Sequence, residues 1–328
     1  MNTKLTNLKN QLRGELHYDK MMKALYATDA SVYRELPLAI ALPKNVEDIK
    51  CLIKFVQKQK LSLIPRAAGT SLAGQCVGNG IVVDISKYFN QILEINTNEN
   101  WVRVQPGVVR DELNVFLKSY GLFFGPNTST ANRCMIGGMV GNNSCGSTSI
   151  IYGSTRDHVL ELKTILSDGS EVVFNQKSIE GFKEKIKEKS LEGNLYKHIN
   201  EELSDENVKS EIETNFPKKS VTRRNTGYAV DVLLNNNLFS KETRNFNFCQ
   251  LLCGSEGTLA FTTEIKLNLV PLPKPNVVLV AAHFKSINES LKATIIAMQE
   301  NVTACELMDK TILDCTKNNI EQQKNRFF

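Results

Sequence analysis

The most informative segment of the sequence, Pro65-Arg66-Ala67-Ala68-Gly69-Thr70-Ser71-Leu72-Ala73-Gly74, directly follows a predicted strand. Its small residues let the backbone approach an anion, and consecutive backbone amides can point into one concavity. Its hydroxyls add hydrogen-bond donors, and its arginine adds positive potential. Neither GxxxxGK followed by Ser or Thr nor GxGxxG is present, so the segment favours neither a triphosphatase loop nor a nicotinamide-binding unit. The alternative is an ordinary glycine-containing surface turn.

Two later segments are also rich in small and polar residues. Residues 126–130 (PNTST) precede residues 136–146 (IGGMVGNNSCG), in which four glycines fall within ten residues. So many glycines would cost too much entropy in a simple core element, and we expect this backbone to lie against a flat, polar-edged ligand. A tightly packed turn is the alternative. In residues 254–259 (GSEGTL), Glu256 could accept hydrogen bonds from a ligand hydroxyl or a neighbouring loop, or belong to a polar turn.

The pattern of apolar residues around these segments predicts an α+β fold. Residues 39–42 and 61–64 are strand candidates that flank a helix capped by Asn45, and residues 1–33 are expected to be mainly helical. A further helix should place Val109, Leu113, Phe116 and Tyr120 on one side and end at Gly121. More strands are predicted at residues 81–85, 91–95, 101–105, 159–166 and 171–174, the last two flanking the turn Asp168-Gly169.

Two later regions differ in composition. Residues 175–222 are charged, and we expect a peripheral helical insertion there. After Pro271, Pro273 and Pro275, a strand at residues 276–284, a helix capped by Ser286 and a strand at residues 303–308 are predicted. Such a strand–helix–strand unit cannot bury both of its faces alone.

Composition argues against several classes of function. The net charge of +5 is modest and mixed, so we expect no nucleic-acid groove. No run of residues is apolar enough to cross a membrane, and the N-terminus lacks the apolar core of a secretory signal. The eight cysteines are scattered, without the spacing of a metal site, so we expect free thiols, no metal and a cytoplasmic location.

The three segments, in this order and spacing, closely resemble the FAD-binding domain of the vanillyl-alcohol oxidase (PCMH) type. The similar branch contains glycolate oxidase, D-lactate dehydrogenase and D-2-hydroxyglutarate dehydrogenase. The resemblance runs from YATDASVY at residues 26–33 to Met308-Asp309 and includes Asn225-Thr226-Gly227-Tyr228. The usual PRGGGTS loop of the family is PRAAGTS here, and the two alanines exclude positive φ angles at their positions.

The resemblance implies a two-subdomain FAD-binding fold over residues 34–271, preceded by a helical segment at 1–33. Residues 66–71 would bind the FAD pyrophosphate, residues 126–146 would line the adenosine and flavin, and the Glu256 loop would close near them. Since no histidine stands in the first loop, non-covalent FAD is expected. The residues expected to bind the cofactor are Arg66, Ala67, Ala68, Gly69, Thr70, Ser71, Pro126, Thr128, Gly137, Gly138, Gly141, Asn143, Ser144, Gly146 and Glu256.

The resemblance also implies an activity, the transfer of hydride from C2 of a D-2-hydroxy acid to flavin N5. The family's base and substrate-binding residues follow the segment at 306–309, so no catalytic residue is assigned, although His158 is the best histidine candidate for a place near the flavin. Residues 276–328 are expected to be the incomplete start of a ferredoxin-like α/β cap. The chain is then either a dehydrogenase fragment or a non-catalytic flavin-binding subunit, and a partner chain could supply the missing cap or an iron–sulfur domain. The electron acceptor stays open.

Overall fold

The computed structural model of the chain describes residues 1–218, 220–225 and 227–325, and its first part contains a four-stranded sheet. The strands are β1 (Glu15–His17), β2 (Ala39–Leu42), β3 (Leu63–Arg66) and β4 (Ile81–Asp84). They lie in the order β1-β2-β4-β3. The last three are parallel, and β1 pairs antiparallel with β2. Because β3 lies at the edge and its residues continue directly into the loop at 67–74, the sheet fixes where that loop begins.

The helices of this part are α1 (Asn2–Lys9), α2 (Lys20–Leu25) and α3 (Val46–Gln59). Asn45 caps α3 as predicted, and its side chain accepts a hydrogen bond from the backbone N–H of Asp48. The buried carboxylate of Asp48 in turn accepts the backbone N–H groups of Arg13, Gly14 and Lys44, at 2.8 to 2.9 Å. This carboxylate therefore holds the N-terminal segment against the start of α3.

The expectation that residues 1–33 are mainly helical is wrong in part. Strand β1 was missed because it has only three residues, of which Leu16 alone is fully buried. So short a stretch carries no readable alternation in the sequence. It forms because β2 offers an unpaired edge, so tertiary pairing decides its structure.

The second part contains an antiparallel sheet of five strands. Its strands are β5 (Ile92–Asn96), β6 (Trp101–Val104), β8 (Val159–Ile165), β9 (Glu171–Asn175) and β10 (Phe261–Asn268), and a separate pair is formed by β7 (Leu122–Phe123) and β11 (Val270–Pro271). The order is β5-β6-β10-β8-β9, so the late strand β10 lies at the centre. The predicted turn at Asp168-Gly169 joins β8 to β9, and Gly169 has a φ of +85°. Two subdomains, one on each sheet, confirm the predicted α+β fold.

Between β6 and β8 the chain forms the α-helices α4 (Arg110–Lys118), α5 (Ile136–Asn142) and α6 (Ser149–Tyr152). The predicted apolar side of α4 is wrong in part. Leu113 is buried as predicted, together with Leu117, whereas Phe116 and Tyr120 lie on the surface with their ring centres 5.4 Å apart. Both pairs are four residues apart, so helix spacing alone does not select the buried pair, and the two aromatic rings contact each other outside the core.

The charged region forms the helices α7 (Ile179–Lys187), α8 (Leu191–Ser204) and α9 (Glu206–Asn215), followed by α10 (Val230–Leu234) and α11 (Cys249–Leu252). The helical prediction is confirmed, but the region is not merely peripheral. Phe182 and Tyr196 are fully buried and pack edge-on against Phe246 and Phe248, with ring centres 4.7 Å apart in two of the pairs. The apolar residues of these helices therefore extend the core of the second subdomain.

The last helices are α12 (Ile287–Ala297), α13 (Lys310–Cys315) and α14 (Ile320–Gln323). Ser286 caps α12 as predicted, since its hydroxyl accepts the backbone N–H of Glu289 at 3.2 Å. The strands predicted at 276–284 and 303–308 are wrong, because neither stretch is a strand in the structure. An isolated strand cannot satisfy its own backbone, and no strand of the described residues lies beside them. As a result Leu279 is 95% exposed.

Candidate functional site

A cleft of about 500 Å³ is lined by residues from both subdomains. This volume is in the usual range for a site that binds a small molecule or cofactor. The cleft brings together most of the residues expected to bind a cofactor: Arg66, Ala67, Ala68, Gly69, Thr70, Ser71, Thr128, Gly137, Gly138, Gly141, Ser144 and Glu256. Three segments that are far apart in the sequence therefore form one wall.

Arg66 supports the first loop from below. Its guanidinium donates to the backbone oxygen of Thr28 at 2.8 Å and lies 5.1 Å from the ring centre of Tyr26. The hydroxyl of Tyr26 donates to the buried carboxylate of Asp84 at 2.6 Å, and burial beside that carboxylate raises the pKa of Tyr26. Arg66 thus uses part of its charge to fix the loop, and its role towards a phosphate stays a prediction.

Gly69 has a positive φ of +65°, and Gly74 at the end of this loop has one of +78°. A Cβ on Gly69 would lie 2.8 Å from Nη2 of Arg66, so this glycine lets the arginine lie under the loop. Ala67 and Ala68 do not have positive φ angles. Both alanine side chains are therefore compatible with the backbone conformation of this loop.

Residues 136–142 of the second segment form the helix α5, although so many glycines were expected to cost too much entropy in a simple core element. Its glycines lie where α5 contacts its neighbours. A Cβ on Gly137 would lie 2.5 Å from Cβ of Pro106, and one on Gly138 would lie 3.3 Å from Cβ of Ala67. The entropy that three glycines cost is offset by this close approach, which places backbone rather than side chains along the cleft.

The third loop closes one end of the wall. Glu256 has a φ of +52°, and its backbone N–H donates to the oxygen of Gly141 at 2.9 Å. Its carboxylate accepts from Nε2 of Gln75 at 3.3 Å, and the Oε1 of Gln75 accepts the hydroxyl of Ser71. The third loop is therefore connected to the first. Burial raises the pKa of Glu256, an effect that the bond from Gln75 partly opposes.

The predicted residues Pro126, Asn143 and Gly146 do not line the cleft. The oxygen of Pro126 accepts from Nε of Arg110 at 3.1 Å. Asn143 is buried at the end of α5, and its side chain accepts the backbone N–H of Arg156 at 2.8 Å. A Cβ on Gly146 would lie 1.7 Å from the oxygen of Asn127. All three residues therefore pack against the segments that form the wall and do not face the cleft.

Sequence reasoning missed two residues that support or form the wall. The buried guanidinium of Arg156 donates to the oxygens of Gln250 at 2.8 Å and Cys253 at 2.5 Å, so it positions the Glu256 loop. Burial lowers the pKa of Arg156. No sequence signal marks it, because only the fold brings its partners together. Arg223 lines the cleft, and the paired basic residues before Asn225 were a signal that could have identified it. Thr226 of the NTGY element lies outside the described residues.

His158 does not lie at the cleft, so its placement near the flavin is not supported. Both of its ring nitrogens face backbone oxygens, those of Tyr152 at 2.7 Å and Asn268 at 3.3 Å, and its ring packs edge-on against Phe124. Within residues 1–218, 220–225 and 227–325, no group of three His, Cys, Asp or Glu side chains could hold a metal ion. Nor does the described part of the chain include a helix that is long and apolar enough to span a membrane.

Residues 37–175 match the family described as "FAD binding domain", and this part of the chain is therefore an FAD-binding domain. The residues that line the cleft fit FAD, since backbone, small side chains and hydroxyls face the space where a flat, diphosphate-containing ligand would lie. The expectation of FAD as cofactor is confirmed.

Three proteins of known name or solved structure are similar to this chain. D-2-hydroxyglutarate dehydrogenase of Pseudomonas putida is 37% identical over 304 residues, which are 92% of this chain and 29% of that protein. Glycolate oxidase subunit GlcD of Bacillus subtilis is 25% identical over 86% of this chain and 44% of its own length. The solved structure of alkyldihydroxyacetonephosphate synthase shares the fold, with a TM-score of 0.56 and 16% identity over 84% of this chain and 41% of that one. The chain thus spans less than half the length of each.

Proposed function

We propose that the chain is the FAD-binding part of a D-2-hydroxy-acid dehydrogenase. The observation that carries the proposal is the cleft wall, in which three separate glycine-containing segments meet in a domain of the FAD-binding family. Similarity over 92% of the chain to a protein named D-2-hydroxyglutarate dehydrogenase supports this class of substrate. D-Lactate and glycolate are the other members of the class that we consider, since a glycolate oxidase subunit is also similar.

The residues that would hold FAD follow from the geometry. The loop after β3 lines the cleft where the diphosphate would lie, and its backbone amides, Thr70 and Ser71 would contact it, Ser71 by exchanging its bond to Gln75. Gly137 and Gly138 let α5 pack closely against Pro106 and Ala67, so that its backbone lines the same cleft. Non-covalent binding is part of the proposal, because the first loop contains no histidine.

FAD would supply a two-electron acceptor, which oxidation of a 2-hydroxy acid requires. The C2 hydrogen would leave as a hydride and the hydroxyl proton would pass to a base, so that a 2-oxo acid and reduced flavin form. The chain's own residues bind the cofactor and fix its orientation. We assign no base among the described residues, and the electron acceptor stays unassigned.

Residues 276–325 support a second element of the proposal, namely that further polypeptide completes this region. Val277, Val278, Leu279 and Val280 are each at least 79% exposed, and α12 exposes Ile287, Leu291 and Ile295. An apolar surface of this kind is expected to be covered. A ferredoxin-like cap in the same protein would cover it, or a partner chain would supply the cap or an iron–sulfur domain. The same exposed surface favours the alternative, a non-catalytic FAD-binding subunit that works with a partner.

We also propose a cytoplasmic location, since all eight cysteines are free and a reducing compartment suits free thiols. This element of the proposal rests on composition. Fractionation of cells with an antibody against the chain would test it, and recovery of the protein from an oxidising compartment would contradict it.

The experiment that tests the cofactor is direct. The purified chain should bind about one FAD that acid precipitation releases into the supernatant. A protein that stays colourless after refolding with excess FAD would refute the flavin function, and flavin that stays with the precipitate would refute non-covalent binding.

The two candidate functions differ in anaerobic stopped-flow mixing of the FAD-loaded chain with D-lactate or D-2-hydroxyglutarate. We expect no bleaching of the flavin band within seconds, because no base is positioned and a base typically contributes ~10²–10⁴-fold to the rate. Bleaching that appears only after addition of the polypeptide that completes residues 276–325 would identify a dehydrogenase. If no bleaching appears after this addition, the non-catalytic subunit is favoured.

A further inference from the structure

The charges along the cleft are few and are not equivalent. Among the described residues that line it, the cationic side chains are those of Arg66 and Arg223, and the carboxylate is that of Glu256. The guanidinium of Arg66 is engaged below the first loop with Thr28 and Tyr26. Arg223 is exposed, and Cys145 is its hydrogen-bond partner among the described side chains. Among the cleft-lining residues that the structure describes, Arg223 is therefore the cation whose terminal nitrogens have no hydrogen-bond partner.

The position of Arg223 is built by its neighbours. Nδ2 of Asn225 donates to the backbone oxygen of Asn143 at 2.6 Å, and Nδ2 of Asn143 donates to the oxygen of Arg224 at 3.4 Å. The segment 223–225 is thus attached to the residues that end α5. On this segment the guanidinium of Arg224 is neutralised by an ion pair with Asp231, and Arg223 lines the cleft.

The orientation of Arg223 is fixed through one edge of its guanidinium. Its Nε–H donates to Sγ of Cys145 at 3.0 Å, and that thiol can donate to Oδ1 of Asn225 at 3.4 Å. The two terminal nitrogens of Arg223 have no hydrogen-bond partner among the described residues. Their planar fork matches the two oxygens of a carboxylate.

We infer that Arg223 is an anion-recognition residue of this cleft and that its ligand is the carboxylate of the 2-hydroxy acid. The inference rests on the proposed function, which requires a negatively charged substrate in the same cleft as FAD. The first loop contacts α5 at Gly138, whereas Arg223 contacts Cys145, beyond the other end of the helix. The diphosphate and the substrate carboxylate would then have separate partners.

The test uses the FAD-loaded chain and measures binding of D-lactate, without oxygen, from the change in the flavin absorbance spectrum. Methyl D-lactate is the matched ligand, because it lacks the negative charge. Arg223→Met should weaken binding of D-lactate about tenfold and leave methyl D-lactate unaffected, since a charge-assisted hydrogen bond is lost. Arg223→Lys should retain part of the affinity. Arg133→Met is the control variant, since Arg133 is exposed, bonds to its neighbour Asn132 and does not line the cleft.

The FAD dissociation constant, measured by quenching of flavin fluorescence, separates the outcomes. An unchanged FAD affinity with the loss specific to D-lactate supports the role of Arg223. Three outcomes overturn the role of Arg223 and leave the flavin function standing. They are equal D-lactate binding by wild type and Arg223→Met, equal losses of affinity for both ligands, and no binding of D-lactate to the FAD-loaded wild type. Weaker FAD binding by Arg223→Met overturns this role in favour of a cofactor contact. A chain that binds no FAD overturns both proposals.

Discussion

Replacement of Gly69 by alanine should damage both folding and cofactor binding. The φ of +65° costs a residue with a Cβ about 1–2 kcal/mol. The new Cβ would also lie 2.8 Å from Nη2 and 3.1 Å from Cζ of Arg66, so the end of that flexible side chain must shift, whereas its 2.8 Å bond to Thr28 is made by Nη1. We expect a loss of about 1–2 kcal/mol in the free energy of unfolding when this bond is kept, and of about 2.5–5 kcal/mol when it is lost, because loss of a hydrogen bond to a charged group adds about 1.5–3 kcal/mol.

Gly169→Ala is the matched control for this change. Gly169 also has a positive φ, +85°, but its Cβ would meet only Cε of Lys54 at 3.7 Å, an ordinary contact far from the cleft. We therefore expect the backbone cost of about 1–2 kcal/mol alone. Urea unfolding gives both free energies, and fluorescence titration gives FAD affinity under conditions where both variants are folded. Gly69→Ala should bind FAD at least about tenfold more weakly, or about 1.4 kcal/mol. Equal FAD affinities in the two folded variants would refute the place of Gly69 in the site.

Three further changes test other contacts. Tyr26→Phe removes the 2.6 Å bond to Asp84 and should cost about 1–3 kcal/mol of unfolding free energy, measured in urea, with FAD affinity nearly unchanged; a loss of affinity without a loss of stability would contradict this. Glu256→Gln should stabilise the chain at neutral pH. Because burial raises the pKa of the Glu256 carboxyl, the folded state favours the protonated form, and wild type loses stability as pH rises. The stability gained by Glu256→Gln should therefore vanish below about pH 4. A gain in stability that does not depend on pH would count against the raised pKa of Glu256. Gly146→Ala should yield little folded protein by circular dichroism, since its Cβ would lie 1.7 Å from the oxygen of Asn127; native stability would exclude this close packing.

Local patterns in the sequence predicted the elements whose causes are local. Asn45 caps α3, and Asp168-Gly169 joins two strands, because caps and tight turns depend on a few adjacent residues. The three segments that line the cleft were recognisable from their order along the chain and from their small residues, which let backbone approach a ligand closely. That order also led to the FAD-binding family, and with it to an α+β fold of two subdomains.

The remaining features depend on contacts between distant residues. Strand β1 exists because β2 has a free edge, and α5 tolerates its glycines because Pro106 and Ala67 lie against them. Arg156 positions the Glu256 loop through oxygens that are about a hundred residues away in the sequence, so no local pattern marks it. The strands predicted after Pro275 show the converse: an apolar pattern is present there, but no neighbouring strand among the described residues satisfies the backbone.

The contacts that residues upstream of β2 make with Arg66 and the loop at 67–74 have a practical consequence for recombinant work on the isolated domain. The family match begins at residue 37, yet Thr28 accepts the guanidinium of Arg66 and the N–H of Ala30 donates to the oxygen of Gly69 at 3.0 Å. A gene fragment cut at the family boundary would keep every glycine of the signature and lose the residues on which that loop rests. Expression of the domain for flavin studies should therefore begin upstream of β1, where Arg13 and Gly14 are bound by Asp48.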